Sequence, residues 1–560
     1  MSVYGIDLGT TYSCLAKFED GQAVIIQNAG EQSNSLPSAV FFESESSIVV
    51  GNEAKNMVQT DPMNVVQFIK REIGKECAPH EFFGQSFSAI DISAMILKKI
   101  KAYAADQGED VKDVVITCPA YFGFAERDAT RKAGELAGFN VLALINEPTA
   151  ASISYAFRNG GGNFPEETVL IYDLGGGTFD VTVLHISSKE VDGKVVPHFE
   201  VLATDGDDKL GGKDWDHLLE ALITGKVCAE AGIDEEELDE DDRAAIASKI
   251  EPTKKALTAK ESHTFRAPIQ GQTVKFDVTR EEFETTTASL VQQTIDCVSR
   301  VLTKENVAGK TIDKILLVGG SSNMPMVMAA VKGAYPDTTV QLEEPELAVA
   351  KGAACYAFLL TQGLNEEGDN FPDPDNPQPE GEGEGAPKPK PAGFVDYVDD
   401  LTPRSFGIGA QTRDKATNEI IWICANLIKK DTVIGENTNV TKTFYVPYDG
   451  CEQINVPVYQ NVSMADQAKP CTDLESNPLE SDPADQMQEL GRFVLNVPEG
   501  SREKRHPMIV NFQVDSAGVH VKVTDGVTNQ ELEGCDIAYN TGDFNQEESQ
   551  QRIDAFEIVD

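Results

Sequence analysis

Basic residues are scarce in this chain of 560 residues, which has 47 lysines and arginines against 92 aspartates and glutamates. The resulting formal net charge of −45 argues against a nucleic acid or an anionic membrane surface as a partner. No apolar run is long enough to span a membrane, and no basic, apolar leader precedes the first predicted strand. The composition therefore favours a globular protein with neither nucleic acid nor membrane among its partners.

Paired cysteine motifs are also absent. The ten cysteines are scattered and none forms a Cys-x-x-Cys pair, which gives zinc or redox chemistry little support. Thiols spread thinly through a long chain suit a reducing compartment. We therefore expect a cytoplasmic protein.

An acidic stretch rich in proline and glycine, residues 363–393, divides the chain. It cannot bury enough apolar surface to fold by itself and is typical of an extended linker. Before it, residues 1–362 alternate short buried strands with helical stretches, which predicts an α/β domain. After it, residues 394–538 contain several short strands between turns, which predicts a β-sandwich. Residues 539–560 are acidic and polar, and we expect them to form a frayed tail.

One short phrase occurs twice in the N-terminal part. Residues 4–11 read YGIDLGTT, and residues 171–180 read IYDLGGGTFD. Each is an apolar strand followed by a turn of glycine and threonine, whose N–H and hydroxyl groups can approach an anion closely. Two such tips facing each other across a cleft would hold a nucleoside triphosphate. The repeat therefore predicts a duplicated lobe.

Residues around these two tips suit phosphoryl transfer, which depends on positioning and charge neutralisation. The candidates are carboxylates for a metal ion (Asp7, Asp173, Asp180) and hydroxyls for phosphate oxygens (Thr10, Thr11, Thr178). Glu147, between a strand end and a helix start, suits a carboxylate that orients water or a metal. Lys70 suits neutralisation of a γ-phosphate. The simpler interpretation is that the acids are turn or cap residues and that the lysine faces solvent.

Seven segments together make the chain similar to a known family. They are GIDLGTTYS (5–13), KREIG (70–74), CPAYF (118–122), INEPTAA (145–151), YDLGGGTFD (172–180), LGGKD (210–214) and VGGS (318–321). In content and order they resemble the seventy-kilodalton heat-shock chaperones of the DnaK type. The resemblance implies an actin-like ATPase domain with two lobes around a Mg-ATP cleft, followed by a linker and a β-sandwich peptide-binding domain. It also implies ATP or ADP, Mg²⁺ and K⁺ as cofactors.

The resemblance further implies roles for individual residues. Lys70 resembles the residue that places the attacking water, and Thr178 resembles the hydroxyl at the γ-phosphate. The implied catalytic residues are Lys70, Glu147, Asp173 and Thr178, and the implied metal-binding carboxylates, partly through water, are Asp7, Asp173 and Asp180. The implied nucleotide-binding residues are Gly9, Thr10, Thr11, Tyr12, Gly175, Gly176, Gly177, Thr178, Gly211, Gly212, Glu251, Lys254, Lys255, Thr258, Gly319, Gly320, Ser321, Asn323 and Glu346.

The predicted adenosine-binding residues match the family in spacing but not in chemistry. Lys255 and Asn323 stand where the family usually has arginines. A guanidinium stacks flat on adenine better than an ammonium does, so we expect weaker and less adenine-selective nucleotide binding. The alternative is that the lysines of the helix, Lys254 and Lys255, belong to a solvated helix face.

The C-terminal part resembles the family's peptide-binding β-domain more loosely, through segments 400–409, 426–430 and 491–495. In that domain an extended client lies in an apolar groove and forms main-chain hydrogen bonds. By position, Phe444, Ile454 and Val456 resemble groove residues, and ordinary sandwich core is the other interpretation.

Three features depart from the family's pattern. We expect no helical lid after the sandwich, so clients should exchange faster. Residues 396–399 read DYVD where the family has a leucine-rich run, which is expected to alter coupling between the domains. The family's partners include J-domain cochaperones and nucleotide-exchange factors, but Ala143 stands where an arginine of the family meets the J-domain.

The sequence therefore predicts an ATP-hydrolysing chaperone whose clients are unfolded or extended polypeptides. A second interpretation is an ATP-dependent regulatory or interaction module with one dedicated protein partner. A sugar kinase or filament protein with the same actin-like fold is a third, against which the peptide-domain sequence after residue 400 argues.

Overall fold

A computed structural model describes residues 2–75, 77–160, 164, 166–191, 194–362, 398–413, 420–434, 438–461, 487–515, 518–532, 534–537 and 545–559. The chain divides into two compact units. The first comprises Met1–Tyr121, Glu126–Gln362 and Phe544–Asp560, and the second comprises Phe122–Ala125 and Gly363–Asp543. The predicted linker, 363–393, lies outside the described residues, as do Asp396 and Tyr397 of the altered segment 396–399.

Strands and helices alternate through the first unit. Its strands are β1 (Val3–Asp7), β2 (Tyr12–Glu19), β3 (Gln22–Ile26), β4 (Leu36–Pro37), β5 (Ala39–Phe42), β6 (Ser47–Val50), β7 (Val65–Gln67), β8 (His80–Phe82), β9 (Gln85–Phe87), β10 (Asp113–Cys118), β11 (Asn140–Asn146), β12 (Glu167–Leu174), β13 (Phe179–Val191), β14 (Lys194–Asp207), β15 (Ser262–Ile269), β16 (Gln272–Thr279), β17 (Lys314–Val318) and β18 (Thr339–Leu342). Its helices are α1 (Asn52–Met57), α2 (Ala89–Asp106), α3 (Phe124–Leu136), α4 (Glu147–Gly160), α5 (Gly212–Ala231), α6 (Glu240–Ala259), α7 (Arg280–Leu302), α8 (Pro325–Ala334) and α9 (Ala348–Gln362), although α3 begins within Phe122–Ala125 of the second unit.

The remaining elements follow the predicted linker. The strands of the second unit are β19 (Val398–Asp399), β20 (Ser405–Arg413), β21 (Ile420–Ile428), β22 (Asn439–Tyr445), β23 (Gln453–Asn461), β24 (Gln488–Asn496), β25 (Pro507–Asp515), β26 (Gly518–Asp525) and β27 (Cys535–Ile537). The first unit resumes with α10 (Gln546–Asp554) and β28 (Glu557–Val559). Within the described part of the chain, every helix is too short or too polar to cross a bilayer.

Two sheets of the first unit have the same connectivity. Their strand orders are β11–β10–β1–β2–β3 and β18–β17–β12–β13–β14. In each, a central strand forms an antiparallel hairpin with the next strand and pairs in parallel with a later one, as in the register of Tyr4 with Val114 and of Val169 with Lys314. This is the duplicated lobe that the repeated phrase predicts, and it confirms the two-lobed α/β architecture.

Buried aromatic side chains fix the strands of the second tip. Tyr172 and Phe179, on the two sides of the turn, are fully buried and their ring centroids lie 4.6 Å apart. The Tyr172 hydroxyl donates a hydrogen bond to Thr294 Oγ1 at 2.7 Å, so even this polar group is satisfied inside the core. Trp215 of α5 is fully buried in the same cluster. The tip is therefore attached to a well-packed core.

A smaller sheet of the first unit positions Lys70. Its strand order is β28–β6–β5–β7. Strand β7 ends at Gln67, and Phe68 then adopts a left-handed conformation with φ 61°. The chain reverses there into a 3₁₀ helix, Ile69–Arg71, which carries Lys70.

The second unit contains two four-stranded antiparallel sheets, β21–β20–β23–β24 and β22–β25–β26–β27. Their apolar side chains form one core cluster, which includes Phe406 and Val458 from the first sheet and Phe512 and Val521 from the second. Strand β26 alternates between buried and more exposed residues along much of its length, whereas β21 and β23 are buried continuously over their last six residues. The predicted β-sandwich class is confirmed.

Residues 545–559 differ from the frayed tail expected for 539–560. They form α10 and β28, and they belong to the first unit. Ile553 and Phe556 are buried. The few apolar residues here are separated by acidic and amide side chains, so only a partner surface distant in sequence reveals them as a buried face.

Candidate active site

The two tips are closed by local backbone contacts. In the second, Gly175 N–H donates to the Thr178 carbonyl oxygen at 3.0 Å. In the first, a Cβ added at Gly9 would lie 2.0 Å from the Tyr12 carbonyl oxygen, so only glycine fits the turn.

The structure brings the two tips together. A Cβ added at Gly176 would lie 2.1 Å from Thr11 Oγ1, and one added at Gly177 would lie 2.6 Å from Thr10 Cγ2. The threonines of the first tip therefore pack directly against the glycines of the second. Threonine hydroxyls of one tip and glycine main chain of the other therefore meet here, and these are the kinds of group that an anion site uses.

A buried ion pair lies beside these tips. Lys70 Nζ donates to Glu147 Oε1, and the two side chains are 5% and 10% exposed. The solvent-facing lysine of the simpler interpretation is therefore wrong. Burial opposes the charge of Lys70, but the carboxylates of Glu147 and Asp7 outweigh it and raise its pKa. Lys70 is held as a cation inside the protein.

The three predicted metal-binding carboxylates, Asp7, Asp173 and Asp180, are also enclosed. Asp7 accepts a hydrogen bond from Thr117 Oγ1, and Asp180 accepts one from Ala120 N–H, both at 3.1 Å. Burial, followed by the charge of Glu147, raises the pKa of Asp7 to about 7. The same two causes, in the same order, hold the pKa values of Asp173 and Asp180 well above the usual range. Negative charge is concentrated here beyond what Lys70 compensates.

This donor set fits a hydrated magnesium ion. Within the described residues, no three Asp, Glu, His or Cys side chains are arranged to hold a metal ion directly. Mg²⁺ in phosphate sites usually keeps several waters and takes one or two carboxylates together with phosphate oxygens. Asp7, Asp173 and Asp180 fit that mode, because they supply charge without forming a closed cage.

The remaining predicted glycine loops border the second tip. A Cβ at Gly211 would lie 2.4 Å from the Gly177 carbonyl carbon, and Gly319, with φ +80°, approaches the Leu174 carbonyl oxygen equally closely. Ser321 Oγ donates to the Gly175 carbonyl oxygen at 2.9 Å. Lys254 Nζ donates to the Gly212 carbonyl oxygen and pairs with Asp216, each at 2.8 Å. Asn323 and Thr258 bond to nearby main chain, at Gly320 and Lys254, and Glu346 lies beside Gly320.

The predicted adenosine-binding residues form a charged network with Tyr12. The Tyr12 hydroxyl donates to Glu251 Oε1 at 2.8 Å, and Lys255 pairs with the same oxygen at 2.9 Å. Lys55 contacts Glu251 Oε2 and the Tyr12 hydroxyl. Burial opposes ionisation of Glu251, but the ammonium groups of Lys55 and Lys255 outweigh it and lower its pKa to about 2.

Sequence reasoning missed Lys55 and Arg71. Arg71 donates to the Gly177 carbonyl oxygen and lies 3.5 Å from Asp214 Oδ2, so it ties the 3₁₀ helix of Lys70 to the second tip. Arg71 lies within the matched segment 70–74, which was the one available signal. Lys55 lies on a short helix with no local motif.

In the second unit, the three predicted groove residues pack on the sandwich core. Val456 is 8% exposed, while Phe444 and Ile454 are half-buried against the same cluster. Phe444 is on β22 and the other two are on β23, so they come from different sheets.

A comparison with known protein families matches most of this chain. The family model described as "Hsp70 protein" matches residues 3–82 and 76–369. The match covers both tips, the Lys70–Glu147 pair and the glycine loops, and it extends over more than half of the chain.

Proposed function

The chain belongs to the Hsp70 family, and on that premise we propose that it is an ATP-dependent molecular chaperone. Membership implies an ATPase domain that binds ATP with Mg²⁺, and chaperone-like activity in general. More specifically, ATP binding and hydrolysis in the first unit would regulate how the second unit binds extended polypeptide segments. The buried Lys70–Glu147 pair beside two facing tips is the observation that carries this proposal.

The tips would bind the phosphates. Main-chain N–H groups of Gly176 and Gly177 and the hydroxyls of Thr10, Thr11 and Thr178 lie near the point where the tips meet and would serve as donors. Lys70, fixed by Glu147, would hold the attacking water and offset charge that develops on the γ-phosphate. Little covalent chemistry is asked of the protein, since phosphoryl transfer is catalysed by positioning and electrostatics.

The acidic cluster would hold the cations. Asp7, Asp173 and Asp180 would hold Mg²⁺ through water, and the bound ion would neutralise the phosphate oxygens. The carboxyl groups outnumber Lys70, and their raised pKa values mean that ionising all of them requires further positive charge, which supports K⁺ as a second cation in the same cluster. Because the cluster is buried, water cannot stabilise these negative charges, and a bound cation is needed instead.

Equilibrium dialysis tests the first half of the proposal. The protein should retain ATP in buffer with Mg²⁺ and K⁺, retain less when Mg²⁺ is chelated, and hydrolyse ATP more slowly when Na⁺ replaces K⁺. Failure to retain ATP with both ions present would overturn the proposal.

A peptide panel tests the second half. A chaperone should bind many unrelated extended peptides and release them faster with ATP. The alternative, a module with one dedicated partner, is favoured by the packing of Phe444, Ile454 and Val456 on the core, which leaves less apolar surface for varied clients. One strong binder among many non-binders would favour that alternative.

Cochaperones are part of the proposal. Ala143 lies half-buried in β11, where the family has an arginine for the J-domain. We expect a J-domain to stimulate hydrolysis weakly and Ala143→Arg to increase that stimulation. Full stimulation of the unaltered protein would show that Ala143 does not limit this partner.

A further inference from the structure

Residues 545–559, here called the return segment, fold onto the first unit although the whole second unit precedes them in sequence. The segment begins with an N-cap, in which the Asn545 side chain accepts from Glu548 N–H at 3.3 Å. Helix α10 and strand β28 follow, each with its own contact to the first unit.

Strand β28 extends the small sheet that carries Lys70. It pairs in parallel with β6, with Ile558 opposite Ile48, and Glu557 N–H donates to the Ser46 carbonyl oxygen at 2.9 Å. Just before the strand, Phe556 is 8% exposed, and its ring packs edge-on against Phe87 at 5.5 Å. Main-chain pairing and an aromatic anchor together are the usual components of strand addition to a sheet edge.

Helix α10 supplies charge to a buried carboxylate. Arg552 donates to the Ser86 carbonyl oxygen and lies 3.6 Å from Asp91 Oδ2. The Asp91 side chain is 1% exposed, and its Oδ1 accepts no hydrogen bond from the described residues. Asp91 Oδ2 also accepts from Ser88 and so caps α2. A carboxylate buried this deeply needs a nearby cation, and Arg552 provides one.

Both contacts lead to the elements that hold Lys70. Strand β6 pairs with β5, and β5 pairs with β7, where Val40 lies opposite Val66. Strand β7 runs directly into the 3₁₀ helix of Lys70. Helix α2, which Arg552 contacts through Asp91, packs against that same 3₁₀ helix. The sheet route and the helix route therefore meet at one short element.

We propose that the return segment is a positioning element for Lys70, with Arg552 and Phe556 as its positioning residues. By completing the sheet and neutralising Asp91, it holds β7 and the 3₁₀ helix in the place that the Lys70–Glu147 pair requires. The inference rests on the proposed function, since it concerns the residue to which that function assigns the attacking water. It adds a dependence of hydrolysis on residues that follow the peptide-binding unit.

Arg552→Ala and Phe556→Ala, each in the full chain, test the proposal. Single-turnover hydrolysis should fall roughly 3- to 30-fold, the range expected for coupling through packed elements. ATP affinity should stay within about twofold, because the tips and the adenosine-binding residues are untouched. Arg552→Lys should keep most of the rate, since it keeps the charge. Gln551→Ala, on the exposed side of the same helix, is the matched control and should behave as wild type.

Hydrogen–deuterium exchange provides a readout that needs no nucleotide. Amides of residues 65–71 should exchange faster in both variants than in the wild type and in Gln551→Ala. If both variants hydrolyse ATP at the wild-type rate, the inference is overturned and the proposed function stands. If the wild type does not hydrolyse ATP, the proposed function fails, and the exchange of residues 65–71 alone decides whether the segment positions them. Unchanged exchange would overturn the inference.

Discussion

Replacing Lys70 with alanine probes the buried ion pair most directly. Lys70 and Glu147 are 5% and 10% exposed, so the substitution leaves the Glu147 carboxylate without its cation beside Asp7 and Asp173. Breaking a buried pair from one side costs about 3–5 kcal/mol. We expect the free energy of unfolding of the first unit to fall by about that amount and its melting temperature to fall by on the order of 5 °C.

The rate of ATP hydrolysis should fall more than the affinity for ATP. Loss of one preorganised charge at a reacting centre costs about 10²- to 10³-fold in rate, and we expect single-turnover hydrolysis by Lys70→Ala to fall by that factor. ATP retained in equilibrium dialysis should change little, because the tips proposed to bind the phosphates remain. The raised pKa of Lys70 makes its stabilisation complete below the unfolded value of about 10.4 and lost as the pH rises through the folded value, so assays at about pH 7.5 see the full effect.

One further variant separates the effect on stability from the effect on hydrolysis, and another is a control for the loss of a lysine. Glu147→Gln in the Lys70→Ala background removes the uncompensated carboxylate, so stability should recover while hydrolysis stays slow. Lys112→Ala breaks an exposed ion pair with Asp110, in which the two side chains are 72% and 75% exposed, and should leave the melting temperature unchanged. A Lys70→Ala protein that melts and hydrolyses ATP like the wild type would refute the reasoning.

Three other predictions follow from contacts described above. A Cβ at Gly176 would lie 2.1 Å from Thr11 Oγ1, so Gly176→Ala should separate the tips and weaken ATP binding, as measured by calorimetry. The control is Gly225→Ala, which lies in open space on α5 and should stabilise the protein by about 0.5–1 kcal/mol. Equal ATP affinities of Gly176→Ala and the wild type would contradict the tip-to-tip packing. Lys255→Arg should tighten ATP binding by about 1 kcal/mol and GTP binding by less, because a guanidinium stacks on adenine better than an ammonium does. An unchanged ratio of ATP affinity to GTP affinity would show that residue 255 does not stack on the base. Burial opposes ionisation of Asp525, but hydrogen bonds from Ser501, from the main chain and from His506 outweigh it and lower its pKa, so its stabilisation is present above the unfolded value of about 3.9 and is lost as the pH falls through the folded value. In urea titrations at pH 7, the free energy of unfolding of Asp525→Asn should be lower than that of the wild type by about 1–3 kcal/mol, and it should depend less on acid pH. Parallel plots of unfolding free energy against pH for the two proteins would count against this role of Asp525.

Sequence predicted the structure best where local pattern and burial coincide. Residues 1–362, predicted to alternate short buried strands with helical stretches, contain helices such as Phe124–Leu136 and Arg280–Leu302 and strands such as Asp113–Cys118. These segments have apolar residues at the spacing of their own secondary structure, so each carries its signal locally. The repeated phrase predicted the duplicated lobe because glycine and strand pattern occur together in both copies.

Contacts distant in sequence escaped prediction. Lys55 reaches Glu251 across 196 positions of sequence, and nothing local to either residue specifies the other. The return segment has too few apolar residues for a periodic pattern, and its buried face is defined by Phe87 and Asp91 on another part of the chain. The site residues at the tips could be predicted from the sequence because the turn itself requires glycine, threonine and aspartate.

Because β28 follows the second unit in sequence, the sheet that carries Lys70 is completed only after the second unit has been synthesised. About 200 residues separate the end of α9 at Gln362 from β28, which completes the sheet of Lys70. At about 5–20 residues per second, a ribosome needs roughly 10–40 s to make them. Throughout that interval the nascent ATPase lobe presents β6 as an open edge, on which another extended chain can pair. Strand β28, which is made after the whole second unit, is thus the strand that covers this edge of the first unit.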